Sequence, residues 1–383
     1  MNPAAWLEDK QRAMEQALEP LVAVNSYTDN ADGGRRVGAL LRELFVPSGL
    51  ELEVHRSERF ADHLVFRSRA QAANKDAVAL VGHLDTVFPP GTFEGYRQSG
   101  VYACGPGVLD MKGGLVVIAF AIQALAATRG LDNVAPLRVV IVSDEEVGSP
   151  EGQSVIEAAA RGASASLVFE AGRAHDAIVT RRKGTGAVTA LVSGRAAHAG
   201  NNHRDGANAL WALARFIEGV QGLTRYDEGV TVNVGRAAGG ETTNTVPDRA
   251  EAQVDLRFTT RASADALIAS IRRVADEVAL SLPGTGIELQ GGVQRLPLER
   301  TEASSRLLAE YAECARAHGL GDAEAALVGG GSDASTTSAL GIPSIDGLGP
   351  RGSGFHTKDE RIEVASLVPK AQALARFLAQ RTA

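Results

Sequence analysis

Three stretches of this chain are apolar almost without interruption, and each runs directly into an acid or a histidine. Ala77–Gly82 (AVALVG) is followed by His83, Leu137–Ser143 (LRVVIVS) by Asp144, Glu145 and Glu146, and Ser166–Phe169 (SLVF) by Glu170. Runs of this kind suit strands buried on both faces, as in a parallel sheet covered by helices. Open α/β sheets build their sites at the carboxyl ends of strands. Three ligand-type residues at three such ends predict a metal cluster, and a catalytic one.

The rest of the pattern supplies the frame. Leu115–Ala127 (LVVIAFAIQALAA) has helical length and is nearly all apolar, so it reads as a buried helix ahead of Leu137–Ser143. Strand, helix, strand in that order predicts an α/β fold, mostly parallel, with helices on both faces. The character changes over 181–292. Thr185–Ser193 and Gly229–Gly235 read as strands, Ala207–Gln221 and Ala264–Leu280 as helices, and Glu251–Phe258 alternates as a half-solvated strand does. That describes a smaller α+β domain with one face free. Residues 293–383 return to helix and buried strand. A length of 383 residues accommodates such a domain, 181–292, inserted between two halves of another, 1–180 and 293–383.

Several classes are excluded. A net charge of −7 argues against a large nucleic-acid surface. Cys104 and Cys314 are too few and too far apart for a disulfide framework, and no CxxC provides a thiolate zinc site, so a reducing cytoplasm is expected. The N-terminal MNPAAWLEDKQRAMEQALEP has four acids and no apolar core, so it reads as one amphipathic helix rather than a signal peptide. No run is expected to reach the roughly 20 apolar residues of a membrane span.

The chemistry sits in short motifs. In GHLDT, His83 and Asp85 share one side of a strand, which lets the carboxylate hold the imidazole from behind and fix its tautomer. Asp110 lies in the Gly-rich turn GPGVLDMKGG before the buried helix, either as its N-cap or as a carboxylate shared by two cations. Glu145 and Glu146 can divide two jobs, one ligating metal and the other taking a proton from water. The triplet Gly329–Gly331 lacks the Gly-Lys-Ser/Thr of a phosphate loop. His356 follows in a Gly-rich loop. His55, His63, His175, His203 and His318 read as ordinary surface or core histidines.

Taken together and in order, His83, Asp110, Glu145-Glu146, Glu170 and His356 with their flanking motifs resemble the M20 family of zinc peptidases, the carboxypeptidase G2/aminoacylase family. The resemblance covers nearly the whole chain. It implies a zinc-exopeptidase-like mixed sheet, with a ferredoxin-like inserted domain that dimerises and acts as a lid. It implies two zinc ions (cobalt or manganese being alternatives): His83 and Glu170 on one, Glu146 and His356 on the other, and Asp110 bridging. Glu145 would be general base and Asp85 an outer support, with a cis peptide at Asp110–Met111. Three carboxylates against two dications leave a net +1, enough to acidify a bridging water. The match extends to His198 in GRAAHAG, Asn244 in TTNTVPD and Arg257 in VDLRF. His198 would reach the partner's site in a homodimer and stabilise the oxyanion, and Asn244 and Arg257 would bind the substrate carboxylate. The implied reaction releases an amino acid from a small peptide or an N-acyl amino acid, as a carboxypeptidase or an aminoacylase. Glutamate-specific members carry a Lys shortly after the equivalent of Glu170. Here that stretch reads AHDAI (174–178), which argues against strict glutamate specificity.

Overall fold

The computed structural model describes residues 2–69 and 77–381 and divides into two compact units. One comprises Met1–Thr180, Arg300–Leu327 and Ser332–Ala383; the other comprises Arg181–Glu299 and Val328–Gly331. Strands of the first are β1 (Glu51–His55), β2 (His63–Arg67), β3 (Val78–His83), β4 (Arg97–Ser99), β5 (Tyr102–Cys104), β6 (Leu137–Val142) and β7 (Ala165–Val168). The second contributes β8 (Gly184–Ser193), β9 (Thr231–Gly239), β10 (Arg249–Phe258) and β11 (Gly286–Arg295). The first then adds β12 (Ser344–Ile345), β13 (Gly352–Ser353) and β14 (Arg361–Glu363).

The main sheet of the first unit has the order β1-β2-β6-β3-β7-β12. The three apolar runs lie together as parallel β6, β3 and β7, with β12 also parallel, while β1 and β2 form an antiparallel edge. The sheet is therefore mixed. Side chains alternate across it: Leu80, Ile141 and Leu167 join the core around the helix Gly113–Thr128, whereas Val81, Val140 and Val168 are buried on the opposite face. Helix Gly113–Thr128 packs on helix Leu367–Gln380, and helix Gly152–Ala160 packs on β6. Gly114 is required there, because a Cβ would sit 2.1 Å from the Phe169 carbonyl oxygen. By length and composition Val108–Thr128 does pass as a membrane-crossing helix, contrary to expectation. However, 94% of its most apolar window is buried, so its hydrophobicity serves the core. The expected single N-terminal helix is two, Pro3–Leu7 and Gln11–Ala23.

In the second unit the chain runs β8, helix Ala209–Gln221, β9, β10, helix Arg261–Ser281, β11, and the sheet order is β11-β8-β10-β9, all antiparallel. This is the split β-α-β topology of ferredoxin-like domains. Alternation along β10 sends Ala252, Val254, Leu256 and Phe258 into a core with Leu213, Phe216, Leu267 and Ile271 of the two helices. Helix starts are set by Asn208 and by a Thr260–Ser263 capping box. Strand β11 was not apparent in the sequence and carries this sheet past residue 292. Its apolar positions are sparse and its two glycines, Gly291 and Gly292, interrupt the alternation.

Candidate metal centre

The three parallel strands end at the acids and the histidine that follow the apolar runs. His83 is the last residue of β3, Asp144–Glu146 lie just past β6, and Glu170 lies just past β7. Two loops converge on the same place. The Asp110 turn is kinked, with non-helical backbone at Asp110 (φ −119°, ψ 92°) and Met111 (φ −131°, ψ 32°), and the helix proper begins at Gly113 without a side-chain cap. Asp110 therefore does not serve as the N-cap. The Asp110–Met111 peptide is cis. His356, with φ +61°, comes from the loop ahead of β14.

Asp110 stands between two imidazoles. Its Oδ1 is 3.3 Å from His83 Nε2, and its Oδ2 is 3.4 Å from His356 Nε2. Each imidazole has a glutamate as well: Glu170 Oε1 is 3.7 Å from His83 Nε2, and Glu146 Oε2 is 3.1 Å from His356 Nε2. Two groups of donor atoms thus fall within 4.8 Å, His83–Glu145–Glu170 and Asp110–Glu146–His356. His83 and Glu170 are buried, and the His356 side chain is 48% exposed.

Asp85 organises both strand ends. His83 Nδ1 is 3.1 Å from the Asp85 carbonyl oxygen and 3.3 Å from its Oδ1. The backbone carbonyl is therefore at least as close a partner as the expected carboxylate. The carboxylate also accepts from the amides of Glu145 and Glu146 at 3.2 Å each and from the Thr28 hydroxyl at 2.8 Å. It fixes the direction of the loop that carries both glutamates.

Burial and mutual charge shift the protonation of these groups. Burial pushes the Glu170 carboxyl well above its ordinary value, and Asp110 adds to this. Glu146 is raised by burial too, although His356 opposes it. Burial alone would lower His83, but Asp110, Asp85 and Glu170 outweigh it and hold the imidazole well above its usual range. Contacts with Asp110 and Glu146 push His356 up to about 10. Carboxylates crowded this closely need positive charge, which cations held between them would supply. The donor set, imidazole nitrogen with carboxylate oxygen, fits divalent cations of the zinc, cobalt and manganese type.

Several contributors were not legible in the sequence. Glu360 is buried, and its carboxylate accepts from the amides of Gly107, Leu109 and Asp110. Burial moves the Glu360 carboxyl up to about 7 and the neighbouring, fully buried Lys112 down to about 7. Asp176 takes Arg351 Nε at 2.9 Å and Nη2 at 2.6 Å, with Lys370 Nζ at 3.2 Å. That cluster joins the loop after Glu170 to the segment before His356. The Gly-rich stretch at 329–331 leads into structural ties rather than a phosphate cradle: Ser332 donates to Asp346, and Ser149 donates to Asp333. Arg173 lies over the ring of Phe355, 5.8 Å from its centroid, and Ile178 is buried.

The remaining predicted residues belong to the second unit. His198 is exposed, and its Nδ1 accepts from the amides of Gly200 and Asn201 at 3.1 Å, which leaves Nε2–H as an outward donor in the neutral ring. Asn244 is beside it, its carbonyl accepting from Ala199 N at 2.9 Å. Arg257 is not with them. It pairs with Thr185 at the start of β8, whereas the His198 loop leaves after Ser193 at the end of that strand. Its fork is taken by Asp255, at 2.9 Å from both Nε and Nη2. Of the other histidines, His63 is buried, His55 and His318 are half-buried, and His175 and His203 are exposed.

Comparison with known proteins agrees with this geometry. The family model described as peptidase family M20/M25/M40 matches residues 79–380. Carboxypeptidase G2 from Pseudomonas sp. (strain RS-16) is 26% identical over 380 residues, covering 97% of this chain and 89% of that one. The aminopeptidase PepT from Bacillus cereus superposes with a TM-score of 0.82 at 22% identity, covering 97% and 98% of the two chains. The YXEP protein of Bacillus subtilis, described as a dinuclear metal binding peptidase, gives 0.72 at 15% identity over 97% and 98%. At these identities the two structures establish the fold.

Proposed function

The chain belongs to peptidase family M20/M25/M40, and on that premise we propose that it is a two-zinc hydrolase cleaving an amide bond next to a free α-carboxylate. The substrate class is a small peptide or an N-acyl amino acid. The observation that carries this reading is the Asp110 carboxylate, with one oxygen toward each of two imidazoles and a glutamate beside each. His83 and Glu170 are assigned to one cation, Glu146 and His356 to the other, and Asp110 to both.

Two bound dications would supply the positive charge that acidifies a water and polarises the amide carbonyl. Glu145, half-exposed with its oxygen within 4.8 Å of donor atoms of His83 and Glu170, takes the proton of the attacking water and returns it to the leaving nitrogen. Asp85 holds His83 and the Glu145-Glu146 amides in the required direction. His198 Nε2–H and Asn244 are assigned to the substrate in a homodimer built through the inserted unit. A substrate carboxylate at Arg257 would have to compete with Asp255 for its fork. An aminoacylase uses the same residues. The stretch AHDAI (174–178) after Glu170 has no lysine, whereas glutamate-specific members carry one shortly after that carboxylate, which argues against a strict glutamate carboxypeptidase.

The test is release of free amino acid from a panel of dipeptides and N-acyl amino acids, with and without chelator. Turnover lost on chelation and restored by zinc is the expected result. Chelator-insensitive turnover would sink the proposal.

A further inference from the structure

Both oxygens of the Glu360 carboxylate are committed to backbone amides of one turn. Oε2 accepts from Gly107 N at 3.0 Å, and Oε1 accepts from Leu109 N at 2.8 Å and Asp110 N at 3.0 Å. The residue is 1% exposed. With its oxygens so occupied it is a support rather than a ligand. The turn needs this acceptor, because buried amides without partners are costly. Gly107 has φ +74°, and a Cβ there would lie 2.7 Å from Thr86 Cγ2; glycine lets the amides converge on one carboxylate.

Glu360 is also the fourth residue after His356. Its own amide donates to Thr357 O at 3.2 Å, and Thr357 N donates to Gly354 O at 3.0 Å, so the loop holding His356 is closed on Glu360. Directly beyond, β14 pairs with β5, Arg361 facing Cys104. One side chain therefore spans from the His356 loop to the Asp110 turn.

We propose that Glu360 is a positioning residue that registers the His356 loop against the Asp110 turn, and so sets the site formed by Asp110, Glu146 and His356. The inference rests on the two-cation reading above. Support of this kind acts through ligand geometry, so its loss should weaken the cation at that group more than the one at His83 and Glu170, which depends on the turn through Asp110 alone.

The test compares the full-length protein with Glu360→Gln and Glu360→Asp. Gln keeps the shape but replaces one acceptor with a donor, while Asp keeps the charge on a shorter arm. Zinc affinity is measured by competition with a chromophoric chelator, cobalt loading by absorption, and the fold of the metal-free proteins by circular dichroism and thermal midpoint. In E360Q one of two cations should bind about 10- to 100-fold more weakly. The other, which shares Asp110 but not His356, should weaken clearly less, metal-free secondary structure should be unchanged, and E360D should recover part of the loss. Equal weakening of both cations, or wild-type affinity for both, would overturn the proposal. If E360Q unfolds without metal, the same comparison is made on E360D, and an unshifted weaker site there counts against the idea. A parent protein binding fewer than two cations would instead refute the two-cation reading, and the proposal with it.

Discussion

Replacing Asp176 with Asn tests the packing logic around the site most directly. The Asp176 side chain is 3% exposed and receives two cations, Arg351 at 2.6 Å and Lys370 at 3.2 Å. Burial alone would raise this carboxyl, but Arg351 together with Lys370 outweighs it and holds the group below its ordinary value. Asn keeps the shape and an acceptor for Gly321 N but removes the charge, leaving the Lys370 ammonium, 4% exposed, facing Arg351 uncompensated. Breaking a buried pair in this way costs about 3–5 kcal/mol. Arg351 is 36% exposed and partly screened, so the lower end, about 3 kcal/mol, is expected. Lys370→Met alone leaves Asp176 paired with Arg351, and in the double variant it should recover much of the loss. Urea unfolding followed by Trp6 fluorescence in a Trp211→Phe background isolates the first unit, since the two tryptophans lie in different units. The pH dependence has a definite sign. A carboxylate held low in the folded state contributes stability above its unfolded pKa of about 3.9, and loses it as pH falls through the folded value. That acid-side loss should vanish in D176N. A D176N cost below about 1 kcal/mol, or no recovery in the double variant, would refute the reasoning.

Two further outcomes follow from the metal centre. Glu145→Gln should lower kcat by about 10²- to 10⁴-fold while both cations stay bound, checked by turnover and metal analysis on the same sample; unchanged kcat would remove Glu145 as base. Asp85→Asn turns one acceptor for Thr28 and the Glu145-Glu146 amides into a donor, so metal affinity should fall about 10- to 100-fold, measured by chelator competition.

Much of the main sheet was legible because burial on both faces leaves a local trace. AVALVG, LRVVIVS and SLVF have no polar alternation, and all three are central parallel strands ending at His83, Glu145-Glu146 and Glu170. The inserted unit was legible through alternation in EAQVDLRF and the spacing of its two helices. Strand β11 escaped because its glycines and polar residues leave no such trace. Asp110 read equally well as a helix cap, since a Gly-rich turn ahead of an apolar run looks the same in either role. Only the kinked backbone at Asp110 and Met111, with the helix starting at Gly113, separates the two.

The sequence by itself determined which residue types stand at the ends of buried strands, because burial and period are local properties written in consecutive residues. Tertiary structure decided how they face one another. The two oxygens of Asp110 divide between His83 and His356, Glu360 reaches back across 250 residues to the Asp110 amide, and Asp176 meets Arg351 across 175. Such contacts depend on how loops close over long separations, and no short window of sequence carries that geometry. The same holds for Arg257, whose residue type suits a carboxylate but whose fork is filled by Asp255 on the same strand.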